Sequence, residues 1–132
     1  QTEIPIALRR GICSAGNVLE ITKRGNIRRL VLDPQEFGSI LAVKKSAAVA
    51  EAAGIRMSFC CKDSAGLLLA SMLQLSASLP AMSLGIECYP HHFEKSLLFA
   101  PVEINDGLAH FSYAPGLSAG IDRNKLEQYQ IF

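Results

Sequence analysis

Residues 30–60 read LVLDPQEFGSILAVKKSAAVAEAAGIRMSFC, and the fold turns on this stretch. Leu30-Val31-Leu32 is a short apolar strand. Asp33-Pro34 stops it, because proline has no N–H for a ladder and restricts the residue before it. Ser39 is placed to cap a helix carrying Ile40, Leu41, Val43, Ala47, Ala48 and Ala52, and Gly54 ends it. Ile55 to Cys60 is a second apolar strand. Strand, helix and strand within about 30 residues make a parallel crossover unit.

The same unit extends in both directions. Upstream, Ile4-Pro5-Ile6-Ala7-Leu8 is a strand, Ser14 an N-cap, Val18, Leu19 and Thr22 one helical face, and Gly25 the stop. Downstream, Ser64 opens a helix with Leu67, Leu68, Ser71, Met72, Leu75 and Leu79 turned inward. Pro80 follows, and Met82 to Cys88 is a fourth strand. Right-handed crossovers between strands in spatial order put all three helices on one side of the sheet. The expectation over residues 1–98 is an α/β fold: half of a TIM-type barrel, with four parallel strands and three helices. Residues 99–132 read as a closing segment of the same domain. They hold a hairpin (Val102-Glu103-Ile104, Asn105-Asp106-Gly107, then Leu108 to Phe111), a turn at Pro115-Gly116 and a short helix capped by Asp122 running through Leu126 and Tyr129.

Composition narrows the function classes. Apolar residues are 49% and charged residues 19% of the 132, enough apolar material for a packed core. A net charge of +1 gives no electrostatic reason to expect nucleic acid or an anionic membrane. No run approaches the roughly 18 apolar residues of a membrane span, and the start carries no secretory pattern. A cytoplasmic chain is expected, its Gln1 either a processed start or part of a longer product. Cys13, Cys60, Cys61 and Cys88 are too few and too irregular for a disulfide framework. A soft metal set drawn from Cys60, Cys61, Cys88, His91 and His92 lacks any recognised ligand spacing.

In parallel βα architectures, chemistry collects at the carboxyl ends of the strands. Arg9, Arg10, Asp33, Cys60, Cys61, Asp63, Glu87 and Cys88 fall there. Each has a plain reading too. Asp33 before Pro34 is a common turn, Glu87 can be solvated or paired with an arginine, and Arg9-Arg10 can be two surface cations.

Several segments in order carry a family resemblance: Ile4 to Leu8; Leu32-Asp33-Pro34 with Gly38-Ser39; Ala47 to Ile55; Gly85-Ile86-Glu87-Cys88-Tyr89-Pro90; and Pro101 to Gly107 with Pro115-Gly116-Leu117. The chain resembles the C-terminal half of the enolase superfamily, nearest to mandelate racemase, acid-sugar dehydratases and muconate-lactonizing enzymes. The resemblance implies strands five to eight of a barrel. It also implies a chemistry in which carboxylate-bound Mg²⁺ stabilises the enediolate formed when a base removes a proton beside a carboxylate. Matched positions suggest Asp33, Glu87 and Cys60 as catalytic residues and Arg9 and Arg10 as substrate-binding residues. Departures are evident. The strand-five carboxylate falls on Arg9 or Arg10, which cannot ligate Mg²⁺, and a histidine position falls on Cys60. No metal ligand and no cofactor is therefore expected of this chain.

Half a barrel also implies a partner. Four strands leave two unpaired edges and, on this reading, an apolar inner face without a covering layer. A homodimer or a complementary chain over that face is expected, with a fold-back of the tail from Phe99 as the internal alternative. Function follows as a domain that is not catalytic by itself and is oligomeric or partner-binding. The alternative is part of a Mg²⁺-dependent racemase, cycloisomerase or acid-sugar dehydratase completed by another chain.

Overall fold

The computed structural model describes residues 4–62, 66–89, 96–110, 114–117 and 119–129. The chain alternates β1 (Ala7–Leu8), α1 (Ala15–Arg24), β2 (Arg29–Leu32), α2 (Ile40–Ala52), β3 (Arg56–Cys61), α3 (Leu67–Ala77) and β4 (Ile86–Cys88). Four parallel strands form one sheet in the order β1-β2-β3-β4, so spatial order follows chain order as expected. The expected caps form. The Ser14 Oγ accepts from the Asn17 N–H and the Ser39 Oγ from the Ala42 N–H, each satisfying a first-turn donor that the helix leaves open.

Contacts divide the chain into two compact units, Gln1–Cys60 with Leu75–Glu87, and Cys61–Gln74 with Cys88–Phe132. In the first unit the register sets Leu30 beside Met57 and Leu32 beside Phe59. All four are fully buried, as are Val18 of α1 and Val43, Ala47 and Ala50 of α2. The small residues of α2 let it lie close against its neighbours, and Ser46 in that face satisfies its hydroxyl on the Ala42 carbonyl.

The opposite face of the sheet is mixed in character. Alternation and register place Ala7, Arg29 and Arg56 in one row, then Val31 and Ser58 in the next. Cys60 continues that face along β3. On this side β2 and β3 present Arg29, Arg56 and Ser58 beside the apolar Ala7 and Val31, because period two puts the residues between the buried apolar ones here.

Three details differ from the sequence reading. The turn expected at Asp33-Pro34 extends into a 3-10 helix over Pro34–Phe37, with Asp33 as its cap. The fourth strand shrinks to Ile86–Cys88. Residues Ala81 to Leu84 meet β3 only through isolated hydrogen bonds on either side of Met57. Helix α3 is buried on more than one stripe, Leu69 to Leu73 consecutively, which suits a segment without a charge. Ser64 lies outside the described residues.

The second unit holds β5 (Ile104–Asn105), β6 (Leu108–Ala109) and α4 (Arg123–Glu127). β5 and β6 pair antiparallel across Asp106-Gly107, both at positive φ, the two-residue turn whose twist suits a hairpin. Asp122 caps α4 through the Asn124 and Lys125 N–H groups. Leu98 and Ile121 form an antiparallel bridge. At Gly66 a Cβ would stand 2.8 Å from the Ser96 Oγ and 3.1 Å from a Leu98 methyl, so the start of α3 packs tightly against the 96–98 segment.

Candidate functional site

The carboxyl ends of β1, β2, β3 and β4 carry Arg9, Asp33, Cys60 and Glu87. Three of these meet. The Arg9 guanidinium reaches across β2, and its Nη2 donates to the Cys60 Sγ at 2.8 Å. Its Nη1 stands 3.5 Å from the Glu87 Oε2. Arg9 and Glu87 side chains are 37% and 35% exposed, so the ion pair opens to solvent, whereas Cys60 is buried beneath it. Crossing two strands requires a long side chain with several donors fixed in a plane, which arginine has.

The Asp33 carboxylate instead serves its own turn. Its Oδ1 accepts from the Gln35 N–H, which fits the turn role that its place before Pro34 suggested. Arg10 is exposed. Cys61 is buried on β3, and burial pushes the Cys88 thiol above its ordinary pKa because a thiolate there would lose hydration. Lys62 Nζ lies 5.2 Å from the centroid of the Tyr89 ring, a cation–π contact. Asp63, His91 and His92 lie outside the described residues.

Two features of this face went unnoticed in the sequence. The link from Arg9 to Cys60 joins residues 51 apart, and only the sheet order brings them together. The row formed by Arg29 and Arg56 was legible in principle, since each directly precedes the first buried apolar residue of its strand, Leu30 and Met57.

The arrangement is chemically that of an anchored cation. A guanidinium beside a carboxylate and a thiol can hold an anion or lock strand ends together. The residues do not suit Mg²⁺, which the family resemblance implies. Arg9 sets a positive charge beside Glu87, and Asp33 commits an oxygen to the backbone. Among the described residues, no three of His, Cys, Asp and Glu gather as a metal-binding group.

Comparison with known proteins bears on the fold. The fold matches N-succinyl Arg/Lys racemase from Bacillus cereus with a TM-score of 0.88 and 20% identity, covering 100% of this chain and 35% of that one. It matches muconate lactonizing enzyme from Pseudomonas putida with a TM-score of 0.83 and 23% identity, covering 98% and 36%. In sequence, the chain is 22% identical over 126 residues to a protein named "Probable glucarate dehydratase" from Streptomyces coelicolor. That match takes in 96% of this chain and 29% of the relative. The chain thus spans about a third of the proteins it resembles. Residues 1–125 match the family described as Enolase C-terminal domain-like, and the chain belongs to that family.

Proposed function

We propose that this chain is an enolase-type C-terminal barrel segment that does not abstract protons by itself and works by assembly. Its partner, a second copy or a complementary polypeptide, covers the inner face of the sheet. One observation carries the reading. Arg9 stands at a strand end where this chemistry needs negative oxygens, and it is bound there to Glu87 and Cys60. Stabilising a dianionic intermediate is usually the largest single catalytic term, and these strand ends lack the carboxylate set that would hold a metal for it.

A second reading has its own support. Glu87 and Asp33 keep acidic side chains at two strand ends, and the relatives are named as a dehydratase, a racemase and a lactonizing enzyme. In that case the chain contributes to an isomerase or lyase acting beside a carboxylate, with the remaining barrel supplied by another polypeptide and Mg²⁺ held there.

Two measurements test these readings. Light scattering of the pure chain at micromolar concentration should give a mass above the 14.3 kDa of one copy, and a mass of one copy removes the homodimer. Incubation with Mg²⁺ and a panel of acid sugars in D₂O should leave the proton beside the carboxylate in place. Exchange above background would favour the enzymatic reading.

A further inference from the structure

Asp106-Gly107, the tip of the β5–β6 hairpin, carries a chemistry that acts on the fold itself. An aspartate carboxyl can close on the backbone nitrogen of the next residue when nothing holds the carboxyl elsewhere and nothing shields the nitrogen. The three described aspartates differ in both respects. Asp33 commits its Oδ1 to the Gln35 N–H and is followed by Pro34, whose nitrogen carries no hydrogen. Asp122 caps α4, its Oδ1 accepting from the Asn124 and Lys125 N–H groups while its Oδ2 stands 3.6 Å from the Lys125 Nζ. Asp106 is exposed, and among the described residues no hydrogen bond or ion pair holds its carboxylate.

Gly107 completes the arrangement. It has no side chain to hinder approach to its nitrogen, and a Cβ placed there would meet nothing within 4 Å. Pairing of Asn105 with Leu108 leaves Asp106 and Gly107 outside the ladder. Asp106 is also the one described non-glycine residue at positive φ, 51°, a conformation that its Cβ disfavours. Strands of two residues each hold the turn, so little opposes the dihedral changes that bring the carboxyl over the nitrogen.

We infer that Asp106-Gly107 is a site of spontaneous isoaspartate formation that opens this hairpin. The Gly107 nitrogen attacks the Asp106 Cγ, and the amide proton leaves with the carboxyl hydroxyl as water, giving a cyclic imide. Water then adds at the main-chain carbonyl of Asp106 and breaks its bond to the Gly107 nitrogen, so the backbone runs on through Cγ. Addition at Cγ instead restores the aspartate. Water lost in the first step is regained in the second, and no other reactant is needed. The added backbone methylene lengthens a two-residue turn. It removes the register that pairs Asn105 with Leu108 and sets the His110 N–H on the Glu103 carbonyl.

The test ages the intact chain at neutral pH and body temperature. Isoaspartyl residues are counted by enzymatic carboxyl methylation and located by electron-transfer fragmentation of the peptides. Isoaspartate is expected at Asp106 well ahead of Asp122, with none at Asp33. The conversion is mass-neutral, which separates it from deamidation of Asn105. In D106E, where a larger ring must close, total methylation should fall about tenfold or more. Equal accumulation at Asp106 and Asp122 overturns the assignment, as does undiminished methylation in D106E. Ageing the same chain in urea decides without any variant. A folded rate at Asp106 within about tenfold of the unfolded rate supports the open turn, and a slower one overturns it. Amide exchange then compares aged with fresh chain. Faster exchange at Leu108 and His110 in the isoaspartyl form supports the opening of the hairpin, and unchanged exchange overturns it.

Discussion

The segment from β2 to β3 and the segment from Leu98 to Tyr129 are built on opposite economies. The first holds a four-residue and a six-residue strand joined by a thirteen-residue helix, and its inward side chains are fully buried. Among its described residues the second relies on two-residue strands, an isolated bridge and a five-residue helix, and it leaves Phe99 69% exposed. Leu108, Leu126 and Tyr129 are exposed as well. Both segments are rich in apolar residues, so composition does not separate them. Length of regular structure does: a long helix over adjacent strands presents a continuous apolar surface, whereas short elements fix few side chains apiece.

The contrast is broken most directly by paired truncations. Phe59→Ala should cost about 3–5 kcal/mol, since it opens a cavity under a fully buried ring, whereas Phe99→Ala should cost below about 1 kcal/mol. Urea denaturation of the two variants measures the difference, and comparable losses would show that the closing segment carries a core of its own. Gly66→Ala comes next, at about 1–3 kcal/mol. It combines a positive φ of 99° with a Cβ pressed against Ser96 and Leu98, and its cost reads out how firmly the 96–98 segment holds α3.

Cap removal sharpens the comparison at smaller scale. Ser39→Ala should lower global stability by about 1 kcal/mol because α2 belongs to the cooperative core. Asp122→Ala should cost below about 0.5 kcal/mol globally and show instead as faster amide exchange in α4. Reactivity of the thiols is the mildest probe. Iodoacetamide followed by mass spectrometry should label exposed Cys13 first and Cys88 later, with Cys60 and Cys61 last. Burial raises the Cys88 pKa, so the stability its neutral thiol contributes is complete below the ordinary thiol range and is lost as pH rises through the raised value. Its labelling should therefore accelerate only at clearly alkaline pH.

Much of the fold was legible residue by residue. Ser14, Ser39 and Asp122 announced three helix starts, and Asp106-Gly107 announced the hairpin turn, because caps and turns are local bargains between a side chain and the next few backbone groups. The fourth strand was overestimated because apolar residues from Met82 onward look alike whether they pair along a ladder or touch it at isolated points. At the site, the positions of Asp33, Cys60 and Glu87 on strand ends followed from the βα period. That Glu87 pairs with an arginine had been foreseen only as one plain reading, and Arg9 as that partner required the sheet.

Local chemistry within the sequence thus determined where elements start and stop, which residues line each strand's apolar side, and that successive strands run parallel. Only the tertiary structure decided that Arg9 spans two strands to bind Cys60 and Glu87, and that Arg29 lies beside Arg56. The division has a physical cause. Periodicity and capping act within a few residues along the chain, whereas register between strands is set by packing and hydrogen bonding among segments about 25 to 50 residues apart, which no local pattern encodes.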